Sequence, residues 1–211
     1  VARDKVDDLI CGLSKGAKRI EKIVNSLKDY ARQDVGDRTQ NINLNEVIEA
    51  AILIVNNLIK KSTDKFSVDY DPKLPMITGN FQQLEQVMIN LITNSCQALK
   101  KQPRDIYIRT WFEAEKKTVN VEVRDNGVGI NEKDMKHVLD PFFTTKRERG
   151  GTGLGLSIAY KILQDHEGEL YFNSTVGKST TAQIVLPVKS KKGDLDEKSH
   201  LSGKSRSFDR R

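Results

Sequence analysis

Cysteine is scarce in this 211-residue chain, which has only Cys11 and Cys96. Two isolated thiols exclude a disulfide framework and a cysteine-built metal site, and suit a reduced, cytoplasmic setting. Long apolar runs are missing as well. No stretch approaches the ~18 residues of a membrane-spanning helix. The opening residues VARDKVDDLI have no apolar core of a signal peptide. No membrane contact is therefore expected of this sequence. It also lacks an initiating Met, so a piece of a longer protein is expected. Aromatic residues make up 6% of the chain. None interleaves with a cluster of basic residues in the way single-stranded nucleic-acid binders require. There is no internal repeat.

Charge of one sign is also thinly spread. The net charge is +6. From Val188 onward eight Lys/Arg and four Asp/Glu give 8 − 4 = +4, which leaves about +2 for the other residues. The basic excess thus belongs to the tail, residues 189–211, which holds too few apolar residues to bury a core. Nucleic acid is not an expected partner.

What is present starts with a helix over residues 3–36. Val6, Ile10, Leu13, Ala17, Ile20, Val24, Leu27 and Ala31 step by alternating fours and threes. That is an a/d seam held over four heptads, and such a seam requires partner helices in a bundle. The residues DVGDRTQ end it. A short strand and a helix capped by Asn43 follow, with Glu46 placed as in a capping box. KFSVDYD alternates as a strand. FQQLEQVMINLITNSCQALKK is a helix with its apolar face on Leu84, Val87, Met88, Leu91, Ile92, Cys96 and Leu99. Two antiparallel strands (RDIYIRTWFEAE and TVNVEVRDNG), a short helix in NEKDMKHVL, a long loop, the helix LGLSIAYKILQDH and a closing hairpin complete the order. The fold class expected is α+β: a two-layer sandwich of a mixed sheet with helices on one face, preceded by the long bundle helix.

Three stretches can carry chemistry. In RDNGVGI the strand ends at Asp125. A buried carboxylate there only accepts hydrogen bonds, which suits the exocyclic amine of adenine, and Gly127 and Gly129 allow a flat base near the backbone. In NLITNSCQA, Asn90 and Asn94 lie one helical turn apart. Their amide oxygens suit a hard cation such as Mg²⁺, which binds few protein ligands together with phosphate oxygens and water. In GGTGLGLSIAYKIL, Gly150, Gly151, Gly153 and Gly155 lead into a helix whose N-terminus can receive an anion. The pattern is neither a P-loop nor a dinucleotide fingerprint. The charged run TTKRERGG before it reads as a mobile lid.

Taken in order, NLITNSCQA, DNGVGI, PFFTTK, GTGLGL, HEGEL and STVGKSTTAQIVLP resemble the catalytic, ATP-binding domain of sensor histidine kinases, relatives of the ATPase domains of DNA gyrase and MutL. The resemblance covers about residues 40–188. Residues 1–38 resemble the second helix of the dimerisation and histidine-phosphotransfer hairpin. The resemblance implies ATP and Mg²⁺ as cofactors, with Asn94 as the Mg²⁺ ligand and Asn90 as its supporting polar residue and a possible second ligand. It implies Asp125 as the reader of adenine, with Gly127, Gly129 and Ile130 shaping that pocket. Phe142 and Phe143 open the lid, and Lys146 stands within reach of phosphate. Gly151, Thr152, Gly153, Leu154, Gly155 and Leu156 form the second glycine box, and Thr180 lies near adenine. It further implies a homodimer through the first helix and a response-regulator receiver domain as partner.

The chain departs from the family pattern at three places. Gln97 stands where Lys or Arg is common, Glu167 interrupts the usual His-Gly-Gly, and Lys178-Ser179 precede Thr180 where Gly is usual. The family's hydrolases carry a Glu base at the position of Asn90, and an amide cannot take a proton from water. Transfer to another nucleophile is expected, not hydrolysis. His137, His166 and His200 all fall outside the 3–36 helix, so the acceptor histidine is expected upstream of Val1 and autophosphorylation by these residues alone is expected to be weak or absent. A nucleotide-sensing, non-catalytic module and an anti-sigma-type protein-serine kinase are the alternatives.

Overall fold

The computed structural model describes residues 12–14, 16–17, 24, 40–100, 102–146 and 151–188. Of the expected first helix, residues 12–14, 16–17 and 24 are helical, and the seam residues Leu13 and Val24 are exposed. The remainder of that helix with Cys11, its pairing in a dimer, the lid residues 147–150 and the tail with His200 lie outside the described residues.

Strand β1 (Gln40–Ile42) leads into helix α1 (Leu44–Ser62). The Asn43 side chain accepts from the Asn45 N–H at 3.0 Å, a cap that stabilises a helix start by about 1 kcal/mol. Glu46 does not close the expected box onto backbone. Its carboxylate accepts from the Asn43 side-chain amide at 3.4 Å, because an Asn cap brings N–H donors of its own. Strands β2 (Lys65–Asp69) and β3 (Ile77–Gly79) precede helix α2 (Phe81–Ala98). Leu84, Val87, Met88, Leu91, Ile92 and Cys96 are buried along α2, as their helical spacing predicts, while Leu99 falls just past its end. Strands β4 (Asp105–Glu113) and β5 (Thr118–Asp125) follow, then α3 (Glu132–Met135), α4 (Gly155–Asp165), and the hairpin β6 (Glu169–Thr175) and β7 (Ser179–Pro187).

Five strands form one mixed sheet in the order β2-β4-β5-β7-β6. Only the β2–β4 pair is parallel. The two remaining strands, β1 and β3, pair with each other in a separate sheet. Helices α1, α2 and α4 pack together against the large sheet. The buried residues Ile106, Ile108, Val121, Val123, Ala182, Ile184 and Leu186 alternate along their strands and meet the helices. The layered α+β expectation holds for residues 40–188.

The register also sets a row of residues across the end of this inner face. Phe66 pairs with Ile106, Ile106 with Asp125, Asp125 with Thr180, and Thr180 with Ser174. Residues opposite one another point to the same face. The row therefore changes from apolar on β2 and β4 to polar on β5, β7 and β6.

Candidate functional site

Asp125 ends β5 and is 4% exposed. Its Oδ1 accepts from the Gly127 N–H at 2.9 Å, and the Ser95 hydroxyl donates to the same carboxylate. Burial pushes the Asp125 carboxyl above the ordinary 3.8, while the Gly127 and Ser95 donors and the nearby Lys146 charge pull it down. Desolvation opposes charge and donors support it. A carboxylate has about four acceptor directions. Two donors hold this one in place and leave acceptor capacity on a group that water barely reaches.

The loop after Asp125 is pinned from three sides. Asn126 donates to the Pro103 carbonyl at 2.6 Å and accepts from the Asp105 N–H at 2.9 Å. The Val128 N–H reaches the Ala98 carbonyl at the end of α2 (3.1 Å), and the Val128 carbonyl accepts from the Gly177 N–H (2.7 Å). Gly129 has φ +71°, and a Cβ there would press into the Thr175 carbonyl. Two constraints thus require glycine at 129: backbone conformation and the approach of the β6–β7 turn. Next to it, the Ile130 N–H donates to Ser174 Oγ at 2.8 Å.

On the opposite side stand α2, α4 and the lid. Asn90 donates its amide to the Gly155 carbonyl at 2.9 Å and accepts from Gln86 at 3.1 Å. It therefore ties α2 to the start of α4. Asn94 stands one turn further along α2, half-buried. Lys146 Nζ lies 3.4 Å from the Asn94 carbonyl and 3.2 Å from Gln97 Oε1, so the ammonium sits on the C-terminal turn of α2, where the helix dipole favours a cation. It occupies the neighbourhood of Gln97, the position where a basic side chain was expected and is missing.

The described residues on either side of the lid are bonded to each other. The Phe142 N–H donates to the Gly153 carbonyl at 2.9 Å, and the Gly151 N–H to the Lys146 carbonyl at 3.1 Å. Phe142 has φ +66° and Gly153 φ +72°. A side chain at Gly153 would run into the Phe142 and Phe143 backbone. Gly155 is different: a Cβ there would meet nothing nearer than Asn90 Oδ1 at 3.5 Å. Helix α4 starts at Gly155 with Leu154 as its cap residue and no side-chain cap hydrogen bond. Its first N–H groups have no side-chain cap, an arrangement that suits an anion. Thr152 Oγ1 accepts from the Leu154 N–H at 3.4 Å. Phe143 stacks loosely on His137, with ring centroids 5.7 Å apart, and half-buried Leu156 packs against the core. Thr180 is buried opposite Asp125.

The structure thus gathers Asp125, Gly127, Gly129, Ile130 and Thr180 at the sheet end, and Asn90, Asn94, Lys146 and residues 151–156 at the helix end, of one site. It adds Ser95 and Ser174, which the motifs did not single out. Position 95 falls on the buried stripe of α2, four residues after Leu91, so a polar residue there signals a buried partner. Position 174 falls on the inward face of β6 after Leu170 and Phe172, which is the same kind of signal. Two histidines are accounted for. His137 Nδ1 is 2.7 Å from Asp140 on the surface. His166 is buried, with Nδ1 against the Ile162 carbonyl (2.7 Å) and Nε2 accepting from the Asn80 N–H (3.0 Å). Among the described residues no group of three or more His, Cys, Asp or Glu is arranged for a metal ion, and no helix is long and apolar enough to cross a membrane.

Residues 79–190 match the family described as histidine kinase-, DNA gyrase B- and HSP90-like ATPase. The chain is 42% identical over 177 residues to a putative sensor protein of Shewanella frigidimarina, covering 83% of this chain and 26% of that protein. It is 30% identical to the signal transduction histidine-protein kinase AtoS of Escherichia coli, covering 80% of this chain and 27% of that protein. The chain thus spans about a quarter of the length of these curated relatives. Among solved structures, the catalytic domain of histidine kinase ThkA superposes with a TM-score of 0.62 at 28% identity, over 71% of this chain and 95% of that one. Histidine kinase ThkA in complex with the response regulator TrrA gives 0.65 at 26% identity, over 83% and 49%.

Proposed function

The chain belongs to the histidine kinase-, DNA gyrase B- and HSP90-like ATPase family and carries the catalytic domain of its histidine kinases, and from that premise we propose that it positions Mg²⁺-ATP for transfer of the γ-phosphoryl group to a histidine outside these 211 residues. The observation that carries this reading is the buried Asp125 carboxylate with spare acceptor capacity, in a chain that also offers a helix start without a side-chain cap.

In this reading Asp125 accepts from the adenine amine, with Gly127, Gly129, Ile130 and Thr180 forming the base pocket. The N–H groups of Gly155 and Leu156, at the start of α4, meet the phosphates. Lys146, seated on Asn94 and Gln97, supplies the cation. The side-chain amide oxygen of Asn94 suits Mg²⁺, a hard ion that keeps few protein ligands; held there, the ion would neutralise phosphate charge. Asn94 is its assigned ligand, and Asn90 stays a tie because its amide is already engaged. The protein's contribution is orientation and electrostatics. No carboxylate stands at position 90 to activate water, which favours transfer over hydrolysis. His166 cannot be the acceptor while both its ring nitrogens are engaged in the core. A receiver domain of a response regulator is the onward partner, the first helix is the dimer seam, and a cytoplasmic location follows from this role.

The test is labelling with radioactive ATP and Mg²⁺. The longer protein containing this chain becomes labelled with acid-labile, alkali-stable phosphohistidine, and the 211 residues alone bind ATP but take up little label. An acid-stable phosphoester on a partner would replace histidine with serine as the acceptor. Absence of ATP binding would remove the reading altogether.

A further inference from the structure

The hydroxyl of Ser174 has three neighbours and one hydrogen. It accepts from the Ile130 N–H at 2.8 Å, donates to the Ser179 carbonyl at 2.9 Å, and stands 2.9 Å from Thr180 Oγ1. A serine hydroxyl offers one donor and two acceptor lone pairs. With its hydrogen committed to Ser179, Ser174 can meet Thr180 only as an acceptor. The assignment that satisfies all three contacts puts the Ser174 hydrogen on the Ser179 carbonyl, which can only accept, and the Thr180 hydrogen on Ser174, away from Asp125. What Thr180 keeps for the pocket is its lone pairs. Thr180 is 8% exposed and lies directly opposite Asp125 in the β5–β7 ladder. The two residues therefore present acceptors side by side on one face of the sheet.

An exocyclic amine carries two hydrogens and can satisfy two neighbouring acceptors, directly or through a bound water. A carbonyl oxygen at the same ring position brings lone pairs toward lone pairs. A buried polar group left facing its own kind loses a hydrogen bond and is not rehydrated. We propose that Ser174 is a specificity-determining residue of the base pocket: by fixing the Thr180 hydroxyl as an acceptor, it selects a 6-amino purine nucleotide over a 6-oxo purine nucleotide. Ser174 acts through Thr180 and the Ile130 backbone, so it is a positioning residue. The proposal rests on the adenine-nucleotide reading given above.

The test compares ATP with inosine triphosphate, which differs from ATP only at the 6-position and its adjoining ring nitrogen. Dissociation constants are measured with Mg²⁺ for the unsubstituted chain, Ser174→Ala, Ser174→Thr, Thr180→Val and the Ser174→Ala/Thr180→Val pair. In Ser174→Ala the Thr180 hydroxyl is released and can donate to a 6-carbonyl. The preference for ATP then narrows by about tenfold, mostly through tighter inosine triphosphate binding. Ser174→Thr keeps the preference, and adding Thr180→Val to Ser174→Ala removes the gain for inosine triphosphate. Thr180→Val alone, which does not depend on the stability of the Ser174 variants, narrows the preference by weakening ATP. If Thr180→Val weakens inosine triphosphate more than ATP, Thr180 is a donor to the base and the proposal is overturned. An unchanged ratio in a folded Ser174→Ala also overturns it. An unsubstituted chain that binds neither nucleotide sinks the underlying reading instead, a distinguishable result.

Discussion

Replacing Asp125 by Asn separates the residue's work on ligand from its work on the fold. The carboxylate holds the Gly127 N–H with Oδ1 and takes the Ser95 hydroxyl. An Asn side chain keeps one acceptor and gains an NH₂. If its oxygen stays on Gly127, the new donors face the base amine, and one hydrogen bond to a charged acceptor is lost, worth about 1.5–3 kcal/mol. Stranding a donor in a buried site adds about 1–3 kcal/mol. The sum of about 2.5–6 kcal/mol predicts a loss of roughly 10²–10⁴-fold in ATP affinity. The unliganded protein behaves differently. Asp125 has its carboxyl raised above 3.8 by burial. A raised acid contributes stability fully present below 3.8 and lost as pH rises through the folded value, so ionised Asp125 weighs against the fold at neutral pH. Asp125→Asn should leave the unliganded Tm at pH 7 unchanged or slightly higher, while abolishing the Tm rise that ATP with Mg²⁺ produces. Titration calorimetry and thermal melts read the two effects. An ATP affinity within threefold of the parent, or a collapse of the unliganded Tm, would refute the reasoning. For the parent, ATP affinity should weaken on acidification starting at a pH above 3.8, as Asp125 takes up its proton.

Three further outcomes are expected. Gly129→Ala should lose ATP binding and at least about 2 kcal/mol of stability, because its φ is positive and the Thr175 carbonyl blocks a Cβ, whereas Gly155→Ala should gain up to about 1 kcal/mol in denaturant unfolding, since a Cβ there has room and alanine favours helix. His166→Phe should lower stability by about 1–3 kcal/mol in the same assay, because it strands the Asn80 N–H. Burial pushes the Cys96 thiol up to about 11, so in a Cys11→Ser background iodoacetamide should label Cys96 at pH 8 only as fast as the protein unfolds.

Elements and motifs were legible in the sequence to the extent that their signal was local. Alternation marked β2, the apolar stripe marked α2, and Asn43 marked the start of α1. Asp125 and the glycines before α4 were readable because turn chemistry and helix starts are properties of a few adjacent residues. What escaped was pairwise and distant. The Asn90–Gly155 bond joins residues 65 apart, and the Asn80–His166 bond residues 86 apart. No periodicity announces either. The tie from Asn90 to the start of α4 is therefore visible only in the structure. The room beside Gly155, where a Cβ would meet only Asn90 at 3.5 Å, is likewise a property of distant packing. Ser95 and Ser174 did leave a trace, as polar residues at inward positions of apolar patterns, but the partner of each lies on another element.

The two long-range bonds have a mechanical consequence. Asn90 grips the start of α4, and the Asn80 N–H grips His166 at its end. Ten residues of α2 and eleven of α4 separate the rungs, about 15 Å each, so the helices run antiparallel like two rails with a rung at either end. Both rungs must break before α4 can shift along α2. The residues on either side of the lid carry bonds of their own, from the Phe142 N–H to the Gly153 carbonyl and from the Gly151 N–H to the Lys146 carbonyl. A substitution in the segment before α4 should therefore leave the start of the helix in place, whereas loss of either rung should free it.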